Sequence, residues 1–154
     1  MEEAQRPKIL IADDKEFILN NIDFILPDEK YQKVFANDGK ECLLIAREFL
    51  PHLIVLDINM PKMDGFQVCK EIKRDPLTRD IPIIFITGKN MPKEKSKGFS
   101  LGGSDYVTKP IEEMELKARV TNLLKIKLEK DALSDRTEEL GKALKLTTDL
   151  LNNM

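Results

Sequence analysis

Asp57 ends the apolar run Leu53-Ile54-Val55-Leu56 and is followed by Ile58-Asn59-Met60-Pro61-Lys62-Met63-Asp64-Gly65. A buried strand that delivers a carboxylate to its own end points to chemistry, because an isolated buried charge is costly unless it is neutralised, paired or metal-bound. Three other apolar runs turn polar in the same way: Ile11-Ala12-Asp13-Asp14, Phe85-Ile86-Thr87-Gly88 and Tyr106-Val107-Thr108-Lys109-Pro110. In a parallel sheet the carboxyl ends of such runs share one edge, the edge where open α/β sheets bind ligands. Three carboxylates, one hydroxyl and one lysine gather there. Packed carboxylates repel, and a hard divalent cation such as Mg2+ relieves the repulsion by taking oxygen ligands at about 2.1 Å. Asp13, Asp14 and Asp57 are therefore a candidate Mg2+ site. Magnesium commonly completes its shell with phosphate oxygens, and Lys109 and Thr87 offer the point charge and hydroxyl donor that suit a transferring phosphoryl unit.

For these ends to meet, strands and helices must alternate, and the hydrophobic pattern does so along most of the chain. Five strands are expected, at Lys8 to Ala12, Tyr31 to Ala36, Leu53 to Asp57, Ile81 to Thr87 and Asp105 to Thr108. The first, third and fourth are continuous apolar runs suited to a sheet covered on both faces, and the mixed second belongs at an edge. Helical spacing places Phe17, Ile18, Ile22, Ile25 and Leu26 on a helix from Lys15 to Leu26, ended by Pro27. Two more are expected over Glu41 to Leu50, stopped by Pro51, and Phe66 to Lys73, stopped before Pro76. A weaker fourth helix, Lys93 to Leu101, is rich in lysine and serine and is expected to be the most mobile element.

The last segment differs. From Ile111 to about Asn152 there is no proline and a single glycine, Gly141. Leu116, Leu123, Leu144 and Leu151 form one seven-residue series, and Ile126, Leu133 and Leu140 another. A continuous helix of this extent would run about 60 Å, against a radius of gyration of about 14 Å for a compact domain. A projecting helix that pairs with a second copy is the expectation, with a compact domain over 1–125 and the projecting part over 126–154. Lys130 and Thr137 interrupt the first series, and Asp135 with Glu138 could cap a separate helix.

Composition narrows the partners. The charged fraction is 34% but the net charge is −2, so no global field draws in nucleic acid or acidic lipid. No apolar stretch approaches the roughly 20 residues of a membrane helix, and Met1 to Arg6 lacks the apolar core of a secretory signal, which together imply a cytoplasmic protein without membrane contact. Cys42 and Cys69 read as buried free thiols and His52 as a solvated loop histidine.

With these residues assembled, the chain resembles the receiver domain of bacterial two-component response regulators, the chemotaxis-regulator-like fold. The resemblance covers roughly residues 7 to 125 and rests on the Asp13-Asp14 pair, the Asp57 strand, the Met60-Pro61-Lys62-Met63-Asp64-Gly65 loop, the Thr87-Gly88 end and the Lys109-Pro110 end. It implies a doubly wound, flavodoxin-like, five-stranded parallel sheet in the order 2-1-3-4-5. By resemblance, Asp57 is the phosphoacceptor for a histidine kinase or phosphotransfer protein. Asp14 and Asp57 would bind Mg2+ directly, Asp13 through water and Asn59 through its backbone carbonyl. Lys109 would pair with a phosphoryl oxygen, and Pro110 would follow a cis peptide. Thr87 would swing to the new phosphoryl group and Tyr106, the switch aromatic, would follow it inward. The face of the fourth helix, fifth strand and last helix would change as a result. Asn59 and Lys89 stand where the family tunes access of the hydrolysing water, and Phe17, Ile18 and Asn21 where it chooses its kinase.

The reading that follows is a phosphorylation-activated switch, catalysing only its own phosphorylation and slow dephosphorylation. A haloacid-dehalogenase-like phosphatase also uses an Asp nucleophile with Mg2+, but it needs a second Asp two residues on as general acid, where this chain has Asn59. No DNA-reading or nucleotide-binding motif follows Lys125. The receiver part of a longer multidomain regulator is the expectation, and a stand-alone regulator acting by protein contact is the alternative.

Overall fold

A computed structural model describes residues 6–88, 97–98 and 100–153. The strands are β1 (Lys8–Ala12), β2 (Gln32–Ala36), β3 (Leu53–Asp57), β4 (Ile83–Thr87) and β5 (Asp105–Thr108). The helices are α1 (Glu16–Ile25), α2 (Gly39–Phe49), α3 (Gly65–Arg74) and a C-terminal helix, Glu113–Asn152. All four strand pairings are parallel and the order is β2-β1-β3-β4-β5. The expected α/β class, strand order and edge position of β2 all hold. Two strands are shorter than expected, beginning at Gln32 and Ile83: the Tyr31 N–H is taken by the Pro27 carbonyl in the preceding turn, and Pro82 has no N–H to donate to a ladder.

Alternation along each strand sorts the apolar residues into two cores. Leu10, Ile54, Leu56, Ile83 and Phe85 pack with Cys42, Ala46, Val68 and Ile72 of α2 and α3. Ile9, Ile11, Leu53, Val55, Ile84 and Ile86 pack with Ile22 and Ile25 of α1 and with Leu116, Val120 and Leu124 of the C-terminal helix. A sheet covered on both faces in this way needs β1, β3 and β4 apolar at every position, and each is buried almost throughout.

Local chemistry sets the helix ends. Asp38 caps α2 by accepting from the Glu41 backbone N–H, and Asp64 with Gln67 forms a reciprocal capping box at the start of α3. Glu112 accepts from the Met114 and Glu115 N–H groups to open the C-terminal helix. The Thr78 hydroxyl donates to the Ile72 carbonyl near the end of α3. Lys33, though on β2, reaches the end of α1 and donates to the carbonyls of Asp23 and Leu26, a cation placed where the helix dipole is negative.

The C-terminal helix is continuous for 40 residues, about 60 Å long. Asp135 and Glu138 therefore do not begin a separate helix; the i to i+4 ladder passes through them unbroken. Every described residue after Asp131 is exposed, including Leu133, Leu140, Leu144 and Leu151. Among the described residues no helix is long and apolar enough to cross a membrane. The expected helix over Lys93 to Leu101 lies largely outside the described residues, as does Lys89.

Candidate functional site

Strand register decides the site. Ala12 pairs with Leu56, Asp57 with Ile86, and Thr87 with Thr108, so each functional residue stands at its strand end or one step beyond it. Asp13 and Lys109 continue β1 and β5, held by hydrogen bonds from Asp13 N to the Ala36 carbonyl and from Lys109 N to the Thr87 carbonyl. The Lys109–Pro110 peptide is cis.

One carboxylate oxygen from each of Asp13, Asp14 and Asp57 lies within 4.8 Å of the others. Asp13 and Asp57 are buried, each 1% exposed, whereas Asp14 opens to solvent. Lys109 Nζ stands 3.3 Å from Asp57 Oδ1 and 3.4 Å from Asp13 Oδ2. Lys15 contributes its backbone N–H to Asp13 Oδ1 at 2.9 Å and its ammonium at 3.9 Å from Asp14. Thr87 is buried at the neighbouring strand end.

Asp57 and Asp13 each keep a buried Oδ2 atom without a hydrogen-bond partner. Buried polar atoms are nearly always satisfied; here Asp13 Oδ2 has only the Lys109 ammonium at 3.4 Å and Asp57 Oδ2 has neither a hydrogen bond nor an ion pair, so the acidic cluster fits a cation. The donor set of carboxylate oxygens is that of Mg2+ or Ca2+ rather than of a soft metal. Burial first and the charge of Asp13 second push the Asp57 carboxyl up, Lys109 pulls it back, and the net is a rise from 3.8 to about 6. A cation in the cluster would reverse the first two effects.

The loop after Asp57 is built around contacts that tolerate no side chain. A Cβ on Gly65 would lie 2.5 Å from the Asp57 carbonyl oxygen, and one on Gly39 would lie 1.9 Å from the Met63 carbonyl. Lys62, in the left-handed region at φ 68°, places its ammonium 3.3 Å from Asp38. The loop carrying Asn59 is therefore braced against the start of α2. Sequence reasoning named Gly65 but missed Gly39, Asp38 and Lys62; the only signal was Asp38 as a helix cap before a glycine.

Tyr106 lies inside, 5% exposed, with its ring 5.6 Å from that of Phe85. Phe85 in turn meets Phe66 at 5.4 Å. The Tyr106 hydroxyl sits against Gly98, where a Cβ would approach it to 1.8 Å.

Two sequence expectations need correction. Ile18 packs in the core at 9% exposure and cannot present itself to a kinase, whereas Phe17 and Asn21 of the same helix are exposed. His52 is not a solvated loop histidine: it is half-buried and its Nδ1 accepts from the Lys8 backbone N–H at 2.9 Å, joining the β3 approach to β1. Cys42 and Cys69 are buried as expected, and burial pushes their thiols up to about 12 and about 11, far from a reactive thiolate.

Known proteins share this arrangement. The family model of the response regulator receiver domain matches residues 9–121. Response regulator PleD of Caulobacter vibrioides is 41% identical over 129 residues, which are 84% of this chain and 28% of that protein. A protein of Vibrio cholerae named a probable cyclic di-GMP phosphodiesterase is 39% identical over 142 residues, 91% of this chain and 32% of that one. This chain thus spans about a third or less of the length of these two relatives. The receiver domain of Francisella response regulator 1452 superposes with a TM-score of 0.72 at 32% identity, covering 78% of this chain and 98% of that one. With its sheet order, its acidic cluster and the lysine beside it, this chain belongs to the response regulator receiver domain family.

Proposed function

We propose that Asp57 accepts a phosphoryl group from the phosphohistidine of a histidine kinase or phosphotransfer protein, and that the aspartyl phosphate is the active signal. The observation that carries this reading is a pair of buried carboxylates, Asp13 and Asp57, sharing one lysine, with Asp57 Oδ2 left without a hydrogen-bond or ion-pair partner. Asp14 and Asp57 would hold Mg2+ directly, Asp13 through water and Asn59 through its backbone carbonyl. Bound there, the ion supplies positive charge that offsets the repulsion between an attacking carboxylate and the phosphoryl oxygens.

In the transfer itself, an Asp57 oxygen attacks phosphorus. The O–P bond forms as the P–N bond to the donor imidazole breaks, and the electron pair of that bond stays on the nitrogen, which takes up a proton. Lys109 holds a phosphoryl oxygen from across the pocket. The Thr87 hydroxyl turns to donate to another, and Tyr106 occupies its inward position more completely as Thr87 moves. Tyr106 is inward in the unmodified chain too, so phosphorylation acts by shifting a population between existing states.

The output is carried by the C-terminal helix. A match covering 91% of this chain extends well past Lys125, so likeness to the Vibrio cholerae protein includes part of this helix. We read residues 1–125 as the receiver and 126–154 as a projecting helix that pairs with a second copy and leads, in a longer cytoplasmic regulator, to a separate output module. Support for a longer regulator comes from the two relatives, each about three times or more the matched length. The phosphoryl reading is tested by intact-mass measurement after incubation with acetyl phosphate and Mg2+, with peptide mapping of the adduct. Expected is one Mg2+-dependent phosphoryl adduct on Asp57; its absence, or an adduct elsewhere, overturns the reading.

A further inference from the structure

At the opposite end of the sheet from Asp57, a cleft of about 240 Å³ opens between the end of α3, the starts of β4 and β5, and the C-terminal helix. Its cations are Lys73 and Arg79 from the domain and Lys127 and Lys130 from the helix, against one lining carboxylate, Asp80. Lys73 is spoken for, since its Nζ donates to the carbonyls of Arg79 and Ile81 at 3.1 and 2.7 Å. Lys127 pairs with Asp131 at 2.7 Å. Arg79 and Lys130 enter no ion pair among the described residues. Ser104 Oγ accepts from the Ile83 N–H at 3.3 Å, which leaves its own proton to donate. Pro82, Leu123 and Ile126 form the apolar wall.

Burial holds the ammonium of Lys73 below its ordinary range, while Cys69 and Asp80 raise it and Lys127 and Lys130 lower it. Lys130 is also one of the two residues that interrupt the leucine series of the C-terminal helix. At that point the helix still lies against the domain, so the position faces the cleft, where a lysine has a use that a leucine would lack.

We propose that this cleft binds a small phosphate monoester, its phosphate held by Arg79, Lys130 and the Ser104 hydroxyl and its organic group resting on Pro82, Leu123 and Ile126. Guanidinium, ammonium and hydroxyl donors converging from separate elements are the donor set that phosphate oxygens recruit. The cleft, at about 240 Å³, suits a phosphate with one small group, since pockets for drug-sized ligands begin at roughly 300 Å³. Because half of its cations come from the domain and half from the helix, the ligand would tie the helix to the receiver below Leu124.

The experiment uses the full chain in EDTA, so that the acidic end of the sheet holds no metal, with phenyl phosphate as probe and inorganic phosphate for comparison at matched ionic strength. Amide shifts followed by NMR should saturate at one equivalent and concentrate on Ser104 and Leu123 to Lys130, with phenyl phosphate binding more tightly than phosphate. Arg79→Ala and Lys130→Ala are exposed substitutions, and each should weaken binding about tenfold, the loss expected for one charge-assisted hydrogen bond. Asp57→Asn should leave it unchanged. Shifts that grow without saturation, that centre on Asp13 and Asp57, or that persist in both cleft variants overturn the proposal. Shifts at the cleft produced by an acidic peptide and not by phenyl phosphate would overturn it in favour of a protein partner.

Discussion

Lys109 Nζ lies 3.3 Å from Asp57 Oδ1 while reaching Asp13 at 3.4 Å, so a single ammonium bridges two buried carboxylates from two other strands. That bridge only partly offsets the cost of burying two negative charges side by side, and the Asp57 carboxyl still rises to about 6. The site is therefore a destabilised one that a cation can relieve.

The elevated Asp57 makes stability depend on pH. The folded value lies above the unfolded one, so between about 4 and 6 the native state holds a proton that the unfolded chain has lost. Stability falls as pH rises through that window, and above it the whole penalty is present. A shift of this size corresponds to roughly 3 kcal/mol. In metal-free buffer Asp57→Asn should be more stable than the parent at pH 8 by up to that amount, and the gap should close towards pH 4. Urea denaturation at both pH values measures it, and a gap that does not change with pH would remove the buried charge as its cause. The same variant should give no acetyl phosphate adduct.

Lys109→Met removes the cation from between the carboxylates. Mg2+ affinity should rise about tenfold, since the ion no longer competes with an ammonium at contact distance. Phosphoryl labelling should nevertheless slow about a hundredfold, because the group that holds the transferring oxygen is gone. Calorimetric Mg2+ titration and time-resolved intact mass separate the two effects. Weaker Mg2+ binding would mean that Lys109 organises the cluster rather than competing within it.

Gly98→Ala would bring a Cβ to 1.8 Å from the Tyr106 hydroxyl and 2.9 Å from the Phe85 ring. The rigid ring has to leave, at a cost of about 1–3 kcal/mol. Loss of NMR contacts between Tyr106 and Phe85, with the phosphoryl adduct still forming, is the expected outcome. Contacts that survive intact would show that the segment bearing Gly98 yields instead.

Ending the chain after Lys125 keeps Leu116, Val120 and Leu124, the three buried residues of the C-terminal helix. Folding stability should change by less than about 1 kcal/mol, as for other changes outside the core. Self-association, followed by sedimentation, should be lost with the exposed leucines. A truncated chain that still dimerises would move the contact onto the receiver itself.

The sequence alone determined the sheet and its chemical edge. Continuous apolar runs at β1, β3 and β4, alternating with helical patterns, suit strands covered on both faces, and in a parallel sheet their ends at Asp13, Asp57 and Thr87 share one edge. The continuity of the last helix past Asp135 was open in the sequence, because a capping pattern is equally compatible with an exposed helix interior. His52 and Ile18 were misread for a related reason: burial of a residue at the start of a strand or on the flank of a helix depends on which neighbour covers it.

Only the tertiary structure decided how the site is held and where charge is left over. The 3.3 Å approach of Lys109 to Asp57 spans 52 positions of sequence, and the Gly39 contact with Met63 joins a helix start to a loop from elsewhere in the chain. Lys73, Arg79, Lys127 and Lys130 are four ordinary surface cations in the sequence, and become a cleft only when the C-terminal helix lies across the strand starts. Periodicity reports which side of an element is buried, because that is a local property of the backbone. Distances between side chains on different elements follow from packing, which no single segment encodes.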